Sequence, residues 1–141
     1  DFPDIDLLKH PKVINIPHLG ASTPESEDNC AVMAVNQLMQ FLESGNIRNS
    51  VNFPNCEMER NGGSRLLIAN RNVPKMIGQI TSILADQDIN ISNMLNRHHH
   101  EIAYNIIDID GEVKEEQVKK LREVEGIVMV RVLPPVMAIA E

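Results

Sequence analysis

Residues 62–94 read GGSRLLIANRNVPKMIGQITSILADQDINISNM, and the change of period inside this stretch decides the fold. Leu66, Leu67, Ile68 and Ala69 form an unbroken apolar run of strand length. Pro74 then stands where a helix opens, and Met76, Ile77, Ile80, Ile83 and Leu84 recur at helical spacing. Asp88 and Asn90 turn the chain into a second strand, Ile89 to about Arg97. Working outward, Ile102, Tyr104, Ile106 and Ile107 predict a third strand, the hairpin partner of the second, closed by Asp110-Gly111. A second helix is expected from about Lys114 to Val124 with Val118 and Leu121 inward, stopped by Gly126. Ile127 to Leu133 complete the series. The order βαββαβ predicts an α+β domain, an antiparallel sheet with both helices on one face.

Upstream of this domain the chain changes character. Residues 1–59 carry nine acids against three bases, whereas residues 60–141 are nearly balanced with eleven against ten. The shift falls at Arg60-Asn61-Gly62-Gly63-Ser64, where two glycines among polar residues suit a hinge. We therefore expect an acidic segment over 1–59, a linker over 60–64 and a compact domain over 65–141. In the acidic segment, Val13, Ile14 and Ile16 read as the end of a buried strand stopped by Pro17. Ser22, Thr23, Pro24 and Glu25 open a helix that Gly45 ends after Ser44. Cys30, Met33, Ala34, Leu38, Phe41 and Leu42 give it one apolar stripe, with Cys30 expected as a small buried hydrophobe. One strand, one helix and the extended Val51–Pro54 arm cannot enclose a core. The sequence reads as starting partway through a domain, and residues 1–55 are expected to self-associate or to be locally disordered.

The net charge of −7 over 141 residues argues against nucleic-acid and anionic-membrane partners. Two isolated cysteines make a disulfide framework or a zinc site an unfavourable reading, and a reducing cytoplasm the simpler one. His98, His99 and His100 invite a metal reading. On a strand, however, only His98 and His100 share a side, so an exposed polar turn is expected instead. His18 lies on the turn between the apolar run and the long helix, a place where rigid scaffolds carry acids and bases.

HPKVINIPHLGASTPESEDNCA, SVNFPNCEM and residues 62–94 together resemble the C-terminal third of the NAD-dependent D-2-hydroxyacid dehydrogenases. VNFP and the terminal βαββαβ pattern narrow the resemblance to the serine-biosynthetic branch, which ends in a ferredoxin-like ACT domain. The resemblance implies that VINI closes the nucleotide-binding sheet and that His18 is the catalytic acid–base. A histidine suits oxidation of a secondary alcohol, because it titrates near neutrality and can take the hydroxyl proton as hydride leaves. The implied substrate is 3-phosphoglycerate and the cofactor NAD, both in a longer parent enzyme, with Gly20, Ala21 and Ser22 near the nicotinamide end. The GxGxxG fingerprint does not occur in this sequence, so the chain by itself is expected to be inactive. A stand-alone amino-acid-binding module is the alternative.

The same resemblance implies an L-serine effector between two such sheets, contacted by Asn70, Asn72 and Asn90. Asparagine both donates and accepts, and so can meet an ammonium and a carboxylate. Asn70 replaces a histidine of the bacterial pattern, and Lys75 replaces the glycine of a Pro-Gly pair. Because Leu66 and Ile68 alternate with Leu67 and Ala69, the first strand is apolar on both faces. It is expected at an edge, pairing with another copy's first strand in a homodimer.

Overall fold

The computed structural model describes residues 4–136 and divides into two compact units between Asn36 and Gln37. The outermost residues of both expected domains, 1–3 and 137–141, lie outside the described residues.

In the upstream unit a short helix, α1 (Ile5–Lys9), starts behind Asp4, whose carboxylate accepts the Asp6 N–H at 2.8 Å. The long helix α2 (Pro24–Ser44), within which the boundary between the units falls, has the predicted bounds. Thr23 Oγ1 accepts the Ser26 N–H at 3.2 Å as its N-cap, and Pro24 occupies the first turn, where its missing N–H costs nothing. Gly45, at φ +74°, ends the helix by donating to Phe41 O at 3.0 Å. Two expectations fail here. Val13–Ile16 form no strand, and Ile14 is 91% exposed, because a strand needs a ladder partner and the described residues of this unit offer none. Cys30 is exposed rather than buried, as are Met33, Leu38 and Leu42, so the predicted stripe of α2 is uncovered except at Phe41.

In the downstream unit the βαββαβ order holds throughout. It comprises β1 (Ser64–Arg71), α3 (Met76–Ala85), β2 (Ile91–His99), β3 (Ile102–Ile109), α4 (Glu115–Arg122) and β4 (Ile127–Leu133). The sheet order is β2-β3-β1-β4, antiparallel throughout. On one face, Ile80 and Leu84 of α3 and Val118 and Leu121 of α4 pack on Leu66, Ile68, Ile107, Ile109 and Val130. Ile77, expected inward on α3, is 43% exposed, since the buried line runs through Met76, Ile80 and Leu84.

This order overturns the expected homodimer through the first strand. β1 is central, hydrogen-bonded to β3 on one side and to β4 on the other, so it presents no edge. Its double-sided apolarity has another cause. The second face is covered by the chain's own segment, in which Phe41, Ile47, Phe53, Cys56 and Met58 pack on Leu67, Ala69, Tyr104, Ile106 and Leu133. Phe53 meets Tyr104 edge-on, with ring centroids 6.0 Å apart.

Three guanidinium groups fasten that segment. Arg65 is fully buried and uses all its donors: Nε and Nη2 grip Asp108 at 2.6 and 2.9 Å, and the rest reach Ser44 O, Met58 O and Glu59 O at 2.8–2.9 Å. Arg60 donates to Glu43 O at 3.2 Å, and Arg131 to Phe41 O at 3.0 Å and to Leu42 O. The last four carbonyls of α2, which lack intrahelical partners or share them, thus each receive an arginine. The downstream unit therefore begins at Gln37, upstream of the glycine pair at 62–63.

Candidate functional site

The loop from β1 to α3 lines a small pocket that gathers two of the predicted effector residues. Asn70, Asn72, Lys75, Asn96 and Ala103 are among the residues around a cavity of about 260 Å³. Asn70 and Asn72 reach it from the end of β1, Asn96 from β2, and Lys75 from the residue before α3. Lys75 has φ +72° and caps α3 with no side-chain hydrogen bond. Helix geometry leaves the first-turn N–H groups of α3 without intrahelical acceptors, which suits an anionic group beside the ammonium of Lys75.

Only part of the predicted effector set meets here. Asn72 lies at the β2–β3 hairpin, its Nδ2 donating to His100 O at 3.2 Å and its N–H to Glu101 O at 2.7 Å. Asn70 is buried and its amide is already engaged, with Oδ1 accepting from Asn105 and Nδ2 donating to Arg71 O, each at 2.7 Å. Asn90 is at the other end of the sheet, where its Nδ2 donates to Asp110 Oδ2 at 2.5 Å. The length of β3 separates it from Asn72, roughly 25 Å by strand rise. A site containing all three asparagines does not form within one chain.

Sequence reasoning missed Asn96 and Asn105. Asn96 Nδ2 donates to Asn105 Oδ1 at 2.7 Å, and Asn105 Nδ2 donates to Ile68 O at 3.1 Å and to Asn70 Oδ1. The available signal was a polar residue at an inward position of each strand, Asn96 two residues after Met94 and Asn105 two before Ile107.

In the upstream unit His18 lies on an exposed loop that leads into α2, with Gly20, Ala21 and Ser22 in the following turn. The Ser22 N–H donates to Leu19 O at 3.1 Å, which shapes that turn. These residues include no glycine-rich phosphate loop. His98 and His99 end β2, and His100 takes the turn at φ +52°, its ring 4.1 Å from that of His99. Among the described residues no group of three or more His, Cys, Asp and Glu is placed to hold a metal ion, and no helix is long and apolar enough to cross a membrane.

The region from Ser64 to Leu133 is therefore a ferredoxin-like α+β domain, with a pocket at its β1–α3 loop. In sequence about nine-tenths of the chain is similar to D-3-phosphoglycerate dehydrogenases. It is 28% identical over 129 residues to that of Escherichia coli, 31% over 137 to D-3-phosphoglycerate dehydrogenase 2 of Saccharomyces cerevisiae, and 30% over 131 to that of Dictyostelium discoideum. These matches cover 90, 91 and 92% of the chain but 32, 29 and 32% of the relatives, so the chain spans about a third of their length. No family model matches. Among solved structures, the ACT domain from the GTP pyrophosphokinase of Chlorobium tepidum matches with a TM-score of 0.43 at 23% identity, covering 50% of this chain and 95% of that one. The C-terminal domain of MgtC from Mycobacterium tuberculosis matches with a TM-score of 0.42 at 17% identity, covering 60% and 100%.

Proposed function

We propose that this chain is the C-terminal part of a D-3-phosphoglycerate dehydrogenase, carrying one catalytic residue and a regulatory domain that binds an amino acid. The observation that carries this reading is similarity over 90% or more of the chain to enzymes of that name from bacteria, yeast and a slime mould. In the parent, NAD would supply the acceptor for the hydride that leaves the secondary alcohol of 3-phosphoglycerate. His18 takes the hydroxyl proton in that direction and returns it in the other. Gly20, Ala21 and Ser22 keep the loop small beside it. The setting is a cytoplasmic biosynthetic enzyme, and the chain alone does not turn over substrate.

The regulatory ligand, with L-serine as first candidate, occupies the pocket at Asn70, Asn72 and Lys75. Asn90 joins it from a second copy. β2 is a free edge of the sheet, and a twofold axis across it pairs two β2 strands antiparallel. That pairing carries the Asn90 end of one copy to the Asn72 end of the other. Reading the coding sequence upstream of Asp1 tests the enzyme part. An in-frame GxGxxG unit supports it, whereas an initiator codon directly before Asp1 refutes it and leaves a stand-alone amino-acid-binding module.

A further inference from the structure

We infer that Asn96 receives the ammonium group of the pocket's ligand, and that Asn105 and Asn70 hold it in the receiving orientation; this rests on the effector reading of that pocket. The orientation follows from two backbone carbonyls. Asn105 faces Ile68 O at 3.1 Å, and an oxygen cannot donate to an oxygen, so its Nδ2 must point there. The second hydrogen of that nitrogen goes to Asn70 Oδ1 at 2.7 Å, and Asn70 Nδ2 is fixed in turn by Arg71 O at 2.7 Å. Asn105 therefore has only its Oδ1 left for Asn96, and Asn96 must meet it with Nδ2, at 2.7 Å.

Asn70 is 2% exposed and Asn105 is 0% exposed, so water does not offer either amide an alternative arrangement. The three amides form a chain of one polarity. Asn96 lies at its outer end and lines the cavity, and among the described residues none donates to its Oδ1. Asn72 Nδ2 donates to His100 O, and among the described residues none donates to its Oδ1 either. Two amide side chains whose oxygens take no donor from the described residues thus line one small cavity, together with Lys75 and the first turn of α3.

A ligand matching this distribution carries several donors at one end and a carboxylate at the other. The α-ammonium of a free amino acid supplies three donors. A 2-oxo acid of the same skeleton turns an oxygen toward Asn96 Oδ1 and is refused. The pocket should therefore separate an amino acid from its oxo acid, a useful distinction in an enzyme whose product is itself an oxo acid.

The test is calorimetry of the whole chain with L-serine, glycine and 3-hydroxypyruvate, the oxo counterpart of serine. Expected is binding of an amino acid with 3-hydroxypyruvate at least tenfold weaker. Asn96→Leu, a substitution suited to a strand, should lower amino-acid affinity at least tenfold and narrow the gap to the oxo acid. Asn105→Val, which releases Asn96 to rotate, should lower it less, and it serves as an independent probe if the first variant folds poorly. Unchanged amino-acid affinity in both variants overturns the role of Asn96 and leaves the effector reading standing. No amino acid bound by the unmodified chain overturns the effector reading and this inference with it.

Discussion

Arg65→Met tests how the segment before the glycine pair is held to the sheet. The side chains of Arg65 and Asp108 are 0% and 1% exposed, so removing the guanidinium leaves the Asp108 carboxylate in the interior without a partner. Breaking a buried pair from one side costs about 3–5 kcal/mol. Ser44 O, Met58 O and Glu59 O also lose donors, but these carbonyls are only partly buried and can recruit water, so the stranded charge dominates. Against a total stability of about 5–15 kcal/mol for a domain, the loss is large. Urea denaturation followed by circular dichroism at pH 7 measures it. The companion Arg65→Met/Asp108→Leu removes both charges and should recover much of the loss, because the cost of the single change lies in the stranded carboxylate. A loss below about 1 kcal/mol for the single variant, or no recovery in the double, would refute the reasoning.

Lys75→Gly should stabilise the domain by about 0.5–1 kcal/mol in the same urea assay, because a non-glycine residue at φ +72° is strained by more than the flexibility glycine adds to the unfolded chain; a loss of stability would contradict this. Tyr104→Phe removes the hydroxyl donor to Gly45 O at 2.8 Å and should cost about 1–2 kcal/mol, with the loss of protection from exchange concentrated near Gly45; uniform loss across the sheet would count against a local role. At pH 8 an aromatic disulfide reagent should titrate Cys30 at once and Cys56 only on unfolding, since burial pushes the Cys56 thiol up to about 11. The sign for stability follows, because the folded state keeps a proton that the unfolded state releases from about pH 9. Stability should therefore fall as pH rises from 9 toward 11.

Local order was legible, and strand adjacency was not. The periods of 3.6 and 2 in residues 65–133 located all six elements of the domain, because each helix or strand has its own buried line. The apolar double face of β1 had two explanations, an edge joined to another copy or a central strand covered on both sides. Pairing is non-local, so the sequence could not choose between them, and the structure selects the second. Val13–Ile16 look like a strand because β-branched residues cluster there, but propensity supplies no ladder partner. Arg65 and Asp108 stand as charges within apolar strands, and Asn96 and Asn105 as amides at inward positions. Their partners lie 43 and 9 residues apart, so a spacing rule for helices or turns does not find them. His18 was singled out through the motif around it, and it lies on an exposed loop.

The separation of Asn72 from Asn90 yields the last prediction. In a single chain the two lie at opposite ends of the sheet, Asn72 beside His100 and Asn90 beside Asp110. Neither strand can reverse, because Leu66, Ile68 and Ile107 are locked in the core beneath the helices. If both asparagines serve one ligand, the second must come from another copy, and β2 and β4 are the edges left for contact. A ligand held by two chains is linked to their association, so amino-acid affinity must weaken when the protein is diluted below its dimer dissociation constant. Asn90→Ala should then lower the affinity of the dimer and leave that of the dilute chain unchanged. Sedimentation velocity gives the association state, and fluorescence or calorimetric titration at several protein concentrations gives the affinity. An amino acid bound with the same affinity by a proven monomer would refute the twofold pairing and the role of Asn90 together. It would leave the single-chain pocket at Asn70, Asn72 and Asn96 as the whole site.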